Sequence, residues 1–525
     1  MAMRRGVMSA RLWRALAPGQ VNGRAGYAVT APGALSTTPP PGVGAAGTLL
    51  RLWSGHWAAD PHSAVLVDGN DPTAVLRAGD LQTGTARAAA ALAACGVGPK
   101  DRVLWSCTTS RESIVALLGV LRLGAVVVPV NPSCTKSELT YVLGDVGPAA
   151  ALVDRPELGE WVEGVGGGIV VRSPDELLAG APPPSGVVLD RAGPDDDALI
   201  VYTSGTTGEP KGAVHTHRSL LAGTESLRTA WGWQPADRLI LTLPLFHVHG
   251  LCAGLFGTLA AGGSAIVFER FSPEAVADAV PHATMFFGVP TMYHRLAESG
   301  RAGDLSALRL CVAGSAPLPA DLWRRYQQEW GVAVLERYGM SETLLTLSNP
   351  LEGERRPGAV GLPLPGVEAM VSGPDAQGIG ELMVRGPSLC RGYWNRPEAS
   401  AAMWVEGWFA TGDLASVSAD GYFSIRGRRT ELIITGGHNV YPAEVEAVLS
   451  RHPSVAEVAV AGVPSPEWGE SVTAFVVGAG GPPDVAALVA LAADELSSYK
   501  CPREFRVVDS LPRNALGKVV RRHLR

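Results

Sequence analysis

Neither Asp nor Glu occurs in the first 59 residues, although the 525-residue chain carries 50 acidic side chains against 44 Lys and Arg. A folded surface of mixed charge is hard to build from such a segment. It holds Arg4, Arg5, Arg11, Arg14, Arg24 and Arg51, and Met8, Leu12, Trp13 and Leu16 recur at helical spacing to make one apolar stripe. This is the pattern of an organellar transit peptide; a plain disordered tail is the alternative. Arginine and the stripe dominate while serine is sparse, which favours a mitochondrial matrix address over a plastid one. Prolines at 39–41 mark the junction, so residues 1–47 are expected to be targeting segment and linker, with folding from near Thr48.

Other absences narrow the class. The seven cysteines (Cys95, Cys107, Cys134, Cys252, Cys311, Cys390, Cys501) are odd in number, scattered and never in C-x-x-C spacing, which disfavours a disulfide framework and a zinc site and suits a reducing compartment. No apolar run reaches the roughly 18 residues of a membrane span. Like charges never form long blocks and the net charge is −6, which argues against nucleic acid or an anionic membrane as the main partner. A small-molecule enzyme of two or three domains fits better.

What is present is most concentrated in Tyr202-Thr-Ser-Gly-Thr-Thr-Gly-Glu-Pro-Lys-Gly212. Glycines let backbone N–H groups converge on an anion, Thr203, Ser204, Thr206 and Thr207 add hydroxyls, and Lys211 adds a point charge. Gly205 and Gly208 lie inside the turn. An apolar run ending at Tyr202 predicts that this polyphosphate loop leaves a buried strand; the Gly-Lys-Ser/Thr of a Walker A loop is missing.

From 48 to 153 helical and β-rich runs alternate: a helix over Leu81–Cys95, a strand over Arg102–Trp105, a helix over Ser113–Arg122 and a strand over Ala125–Val130. Further buried strands are expected at Leu239–Leu245, Ser264–Phe268, Met285–Val289 and Leu308–Val312, giving a mostly parallel α/β sheet with ligands at its strand ends. Beyond Gly427 a unit of about one hundred residues reads as a separate small α+β domain. Pro442 opens its helix, which runs to His452, and Val455–Val463, Ser471–Val477 and Phe505–Val508 are its strands.

Six motifs occur in one order: 202–212, Gly314-Ser-Ala-Pro317, Glu336-Arg-Tyr-Gly-Met-Ser-Glu-Thr343, Thr411-Gly-Asp413, Gly427-Arg428 and Pro512-Arg-Asn-Ala-Leu-Gly-Lys518. Together they resemble the adenylate-forming enzymes, the superfamily of acyl-CoA synthetases, luciferases and peptide-synthetase adenylation domains. The resemblance implies a large multi-sheet N-terminal α/β domain at 48–428 and a small mobile α+β C-terminal domain at 429–525. It also implies a carboxylate attacking the α-phosphate of ATP, followed by transfer of the acyl group to the thiol of coenzyme A.

On this reading Glu342, with Thr207, holds Mg²⁺ against the triphosphate, since Mg²⁺ prefers hard oxygen ligands. Thr343 reaches the α-phosphate, Tyr338 offers its face to adenine, and Gly314 and Ala316 leave room for the ring. Asp413 accepts both ribose hydroxyls. Arg428 bridges the ribose and the hinge, which lies at Arg429 or Thr430. Ser315, Glu336, Arg337, Gly339 and Met340 complete the nucleotide site. The resemblance gives Lys518 the adenylation step, neutralising charge as pyrophosphate leaves, with Thr207 and Glu342 beside it. Gly436-Gly-His-Asn439 presents Gly436, Gly437 and His438 to coenzyme A.

For the acid, His247 and His249 lie two apart, on one face if extended. Arg295 sits on the helix that lines the acyl pocket in the family. A buried Arg295 needs an anion, which a dicarboxylate supplies through a bidentate pair; a solvent-facing Arg295 is the alternative. With Ser315 and Met340 the constellation is similar to the malonyl-CoA synthetases, with malonate or methylmalonate as substrate. A short- or medium-chain monocarboxylate ligase shares every ATP motif, and a non-catalytic scaffold is disfavoured because Lys518, Glu342 and Asp413 are all present. Oligomeric state is left open, a monomer included.

Overall fold

The computed structural model describes residues 19–21, 24–30, 47–179, 187–203, 210–513 and 519–524. The Met8 to Leu16 stripe lies outside them. The described strands form four sheets.

The first sheet runs from Gly392–Tyr393 through Lys211–Thr216, Asp197–Thr203, Val126–Pro129, Arg102–Ser106 and Ala150–Val153 to Val170–Arg172. It is parallel from Asp197–Thr203 onward. The second has nine strands, and its six central ones are parallel: Leu335–Met340, Leu310–Ala313, Met285–Gly288, Arg238–Leu241, Ser264–Val267 and Ala64–Asp68. Met285–Gly288 and Leu310–Ala313, at its centre, are apolar and buried on both faces, as parallel sheets require. One core joins the two sheets, and helices Ala78–Ala94 and Arg111–Leu123 contribute to it. The second helix is buried almost throughout; Ser110 accepts the Ser113 N–H at its start, and Gly124 ends it in the left-handed region at φ 83°. At Gly119 an added Cβ would overlap Ala88, so glycine allows these two helices to touch.

The expectation of a mostly parallel sheet is right for these two sheets alone. The third, built from Glu368–Ser372, Gly380–Arg385, Trp408–Val417 and Phe423–Arg428, is antiparallel, with short turns joining its first two and last two strands and the 386–407 excursion joining the middle pair. The start near Thr48 also needs correction: Arg24–Thr30 pairs antiparallel with Glu368–Ser372 and covers what would otherwise be the sheet's open edge.

After the 3-10 turn Arg429–Glu431 comes the fourth, five-stranded sheet. Val455–Ser465 and Gly469–Gly478 form its long hairpin, flanked by Pro442–Leu449 and Val485–Glu495, with its own core. The chain is thus a large multi-sheet α/β domain followed by a small α+β domain. No helix among the described residues is long and apolar enough to cross a membrane.

Candidate active site

The hairpin that opens and closes the polyphosphate motif pairs Thr203 with Lys211. Ser204, Gly205, Thr206, Thr207 and Gly208 lie outside the described residues, as does Lys518. Lys211 Nζ stands 5.3 Å from the centre of the Tyr393 ring. The Tyr393 hydroxyl donates to Glu342 Oε1 at 2.8 Å. Burial raises the Glu342 carboxyl above its ordinary value, while the Tyr393 bond works the other way by favouring the ionised form. Tyr393 therefore joins the motif lysine to the motif acid. It was missed in the sequence; the only signal was a Tyr-Trp pair between Gly392 and Pro397.

Close enough to act on the charge of Glu342, the third sheet contributes Asp413, which pairs in register with Arg428 and forms an ion pair with it at 2.7 Å. Tyr338 donates its hydroxyl to Asp413 Oδ2 at 2.6 Å. Two of the carboxylate's acceptor positions are thus in use, which fixes its plane and leaves positions for hydroxyl donors.

On the other face of the strand Leu335–Met340, Arg337 is 4% exposed, and among the described residues no carboxylate pairs with it. Its Nη2 donates to Ser315 Oγ at 3.4 Å, and its Nε has no partner among the described residues. Burial pulls the guanidinium down to about 9, the signature of a charge lacking a counter-ion. Ser315 adopts φ 71°, a strained conformation for a residue with a side chain, and this places Oγ 3.3 Å from His249 Nδ1 as well. The His249 ring is buried and held well below its usual range by burial first and by Arg337 and His247 next, so it is neutral. Phe287 stacks 6.3 Å from it, with Trp231 and Trp233 behind. Arg337, Ser315 and His249 thus make a polar wall backed by aromatic rings, able to receive a small anion.

Glu336, on the alternate face of that strand, accepts the Leu318 N–H at 3.0 Å and so holds the loop beginning at Gly314. Burial pushes its carboxyl up to about 7. Gly339 is required because a Cβ would overlap the Leu344 carbonyl. Met340 lies near the Tyr338 hydroxyl, with Sδ at 3.8 Å.

Several expected placements need correction. Arg295 is exposed, with its guanidinium 5.1 Å over the Phe271 ring; helix Pro290–Glu298 turns Tyr293, Leu296 and Ala297 inward, which rotates position 295 to the outside. His247 and His249 do not share a face as an extended pair would, since a turn leads into the π-helix His249–Phe256. The room at Gly314 is filled by Arg337, whose Cζ an added Cβ would overlap, rather than left for adenine. Thr343 is fully buried and its hydroxyl donates to the Leu344 carbonyl, so it does not face the cleft in this state. Ala316 is exposed in the same loop.

In the small domain Gly436 and Gly437 take positive φ, Gly436 beneath Trp468. His438 is exposed and stacks on Tyr499 at 4.7 Å. Positive φ and absent side chains give this turn a close backbone approach suited to a thin chain such as pantetheine.

Fold and cleft together define an ATP-dependent ligase that activates a carboxylate as its adenylate and passes it to coenzyme A. The AMP-binding enzyme family matches residues 56–394 and its C-terminal domain matches 444–518. A feruloyl-CoA synthase from Amycolatopsis is 38% identical over 89% of this chain and 96% of its own. A malonate–CoA ligase from Arabidopsis thaliana is 36% identical over 79% and 76%. The crystal structure of ATP-bound MatB from Rhodopseudomonas palustris superposes with TM-score 0.84 at 37% identity, covering 91% of this chain and 98% of that one. The chain belongs to the AMP-binding enzyme family, as an adenylate-forming acyl-CoA synthetase close to the malonyl-CoA synthetases.

Proposed function

We propose that this chain ligates malonate, with methylmalonate as an alternative acid, to coenzyme A through the acyl-adenylate, yielding malonyl-CoA, AMP and pyrophosphate. One observation carries the choice of acid: Arg337 is buried without an anionic partner among the described residues, against Ser315 and His249. A buried, uncompensated charge costs several kcal/mol, and a second carboxylate on the substrate removes that cost. Arg337, rather than the exposed Arg295, is therefore the guanidinium that needs a substrate anion. Neutral His249 adds no competing charge, and the aromatic cluster behind it leaves a long chain no room to extend in that direction.

The remaining roles are assigned on the same reading. One substrate carboxylate is fixed by Arg337; the other attacks the α-phosphate and pyrophosphate departs. The coenzyme A thiol then attacks the acyl carbonyl, and AMP leaves. Lys211 and Thr203 hold the triphosphate, Asp413 takes the ribose hydroxyls, and Lys518 balances charge in the first step. Among the described residues no group of three or more His, Cys, Asp or Glu could hold a metal by itself. A lone buried acid with its oxygens oriented by Tyr393 nevertheless fits Mg²⁺, which keeps waters and substrate phosphates as ligands. When bound, the ion offsets triphosphate charge at Glu342. The acid-free, arginine-rich N-terminus supports a mitochondrial matrix location, which import into isolated mitochondria would test.

The deciding experiment is coenzyme A-dependent AMP release by the full chain with malonate, methylmalonate, sulfoacetate, acetate, butyrate, octanoate and ferulate. Malonate should lead, and Arg337→Met should lower its kcat/KM roughly a hundredfold or more while the KM for ATP holds. Arg295→Ala should match the wild type. A preference for ferulate or a monocarboxylate that survives Arg337→Met would overturn the reading.

A further inference from the structure

Both ends of the polyphosphate motif are tied to one helix, Lys136–Val146. Tyr202, at the end of the incoming strand, donates its hydroxyl to Asp145 Oδ2 at 2.6 Å. Tyr141, one turn earlier on the helix, donates to the Pro210 carbonyl at the outgoing end, at 2.9 Å. Asp145 also ion-pairs with Arg396 at 2.9 Å, its side chain 9% exposed. The backbone carbonyl of Asp145 accepts from Trp394 Nε1 and Asn395 Nδ2, both at 3.2 Å, and the Trp394 N–H donates to the Gly212 carbonyl at 2.8 Å. The 394–396 segment is therefore fastened to the helix and to the hairpin at once. It directly follows Tyr393, which stands over Lys211 and bonds Glu342.

We infer that Asp145 is a positioning residue for the triphosphate of ATP: one carboxylate, on a helix outside the cleft, sets Thr203 and Lys211 through Tyr202 and sets Glu342 through the 393–396 segment. Two oxygens of a single group hold two elements that reach the cleft from different parts of the chain, so losing the group loosens both together. This rests on reading Thr203, Lys211 and Glu342 as triphosphate contacts. It is independent of which acid is activated.

The test measures KM for ATP, acid and coenzyme A in the full chain, using the best acid of the panel above, for Asp145→Ala, Tyr202→Phe and, as a control, Lys211→Ala. The thiolation half-reaction is followed separately from preformed acyl-adenylate. Asp145→Ala should raise the KM for ATP about tenfold, and Tyr202→Phe by less, as expected for lost hydrogen bonds to a charged group. The KM values for acid and coenzyme A and the thiolation rate should stay within about twofold of wild type. Should Asp145→Ala fail to fold, Tyr202→Phe decides alone. An unchanged KM for ATP, or adenylation and thiolation falling in parallel, would overturn the inference. If Lys211→Ala also leaves the KM for ATP unchanged, the assignment of the triphosphate site is what fails; if it raises that KM while Asp145→Ala does not, only the brace fails.

Discussion

Arg337 and its neighbour Glu336 project from opposite faces of one strand and carry opposite problems of burial. The arginine is charged and lacks an anion among the described residues, so Arg337→Met should stabilise the free protein, by on the order of 1–4 kcal/mol, as it disables the proposed dicarboxylate site. Thermal melting of the two proteins without substrate tests the sign, and a variant that melts lower contradicts it. Glu336 keeps its proton up to about pH 7 in the folded chain, whereas an exposed glutamate releases it near 4.5. The stability tied to that proton is complete below the lower value and is lost as pH rises through the upper one. Melting temperature should therefore fall from about pH 5 to about pH 8 by more in the wild type than in Glu336→Gln. Both residues stand in a motif visible in the sequence, yet their sorting into anion receptor and loop clamp was not. A motif fixes residue identity, whereas the counter-ion of a buried charge is set by what other segments bring or fail to bring. Arg295 was misjudged for the same reason: a helix position faces inward or outward according to its neighbours' packing.

Elements were read more securely than roles. The strand expected over Arg102–Trp105 spans Arg102–Ser106, and the helix expected over Ser113–Arg122 spans Arg111–Leu123, because continuous apolar runs bounded by Ser110, Gly124 and prolines leave little choice. The stretch around His247 and His249 was not legible. A π-helix has no sequence period of its own, and there it follows from glycines pressed against neighbours: a Cβ at Gly250 would overlap the Pro244 carbonyl, and one at Gly257 the Trp233 ring. The loop starting at Gly314 is equally tight. Gly314→Ala should displace the Arg337 guanidinium, so malonate should lose its advantage over acetate while the protein still folds. Ratios of kcat/KM for the two acids measure this, and an unchanged ratio would place the arginine elsewhere in solution.

At the scale of the whole chain the two-part layout was readable from the change of pattern after Gly427, but the origin of the third sheet's edge was not. A short polar-flanked strand such as Arg24–Thr30 carries little periodic signal, and its partner Glu368–Ser372 lies more than three hundred residues away. Removal of residues 1–30 should lower the melting temperature and promote self-association on gel filtration, since an uncovered edge recruits other strands. Asp413 lends the molecule a different property. It is shared by Tyr338 and by Arg428, the last residue before the turn that leads into the small domain. On the proposed assignment a ribose takes the acceptor positions that the arginine leaves on that carboxylate, and any coupling between the two is reciprocal: whatever the nucleotide does to the set of the small domain, the set of the small domain does to nucleotide affinity. On that assignment, nucleotide affinity and the set of the small domain share one coupling factor.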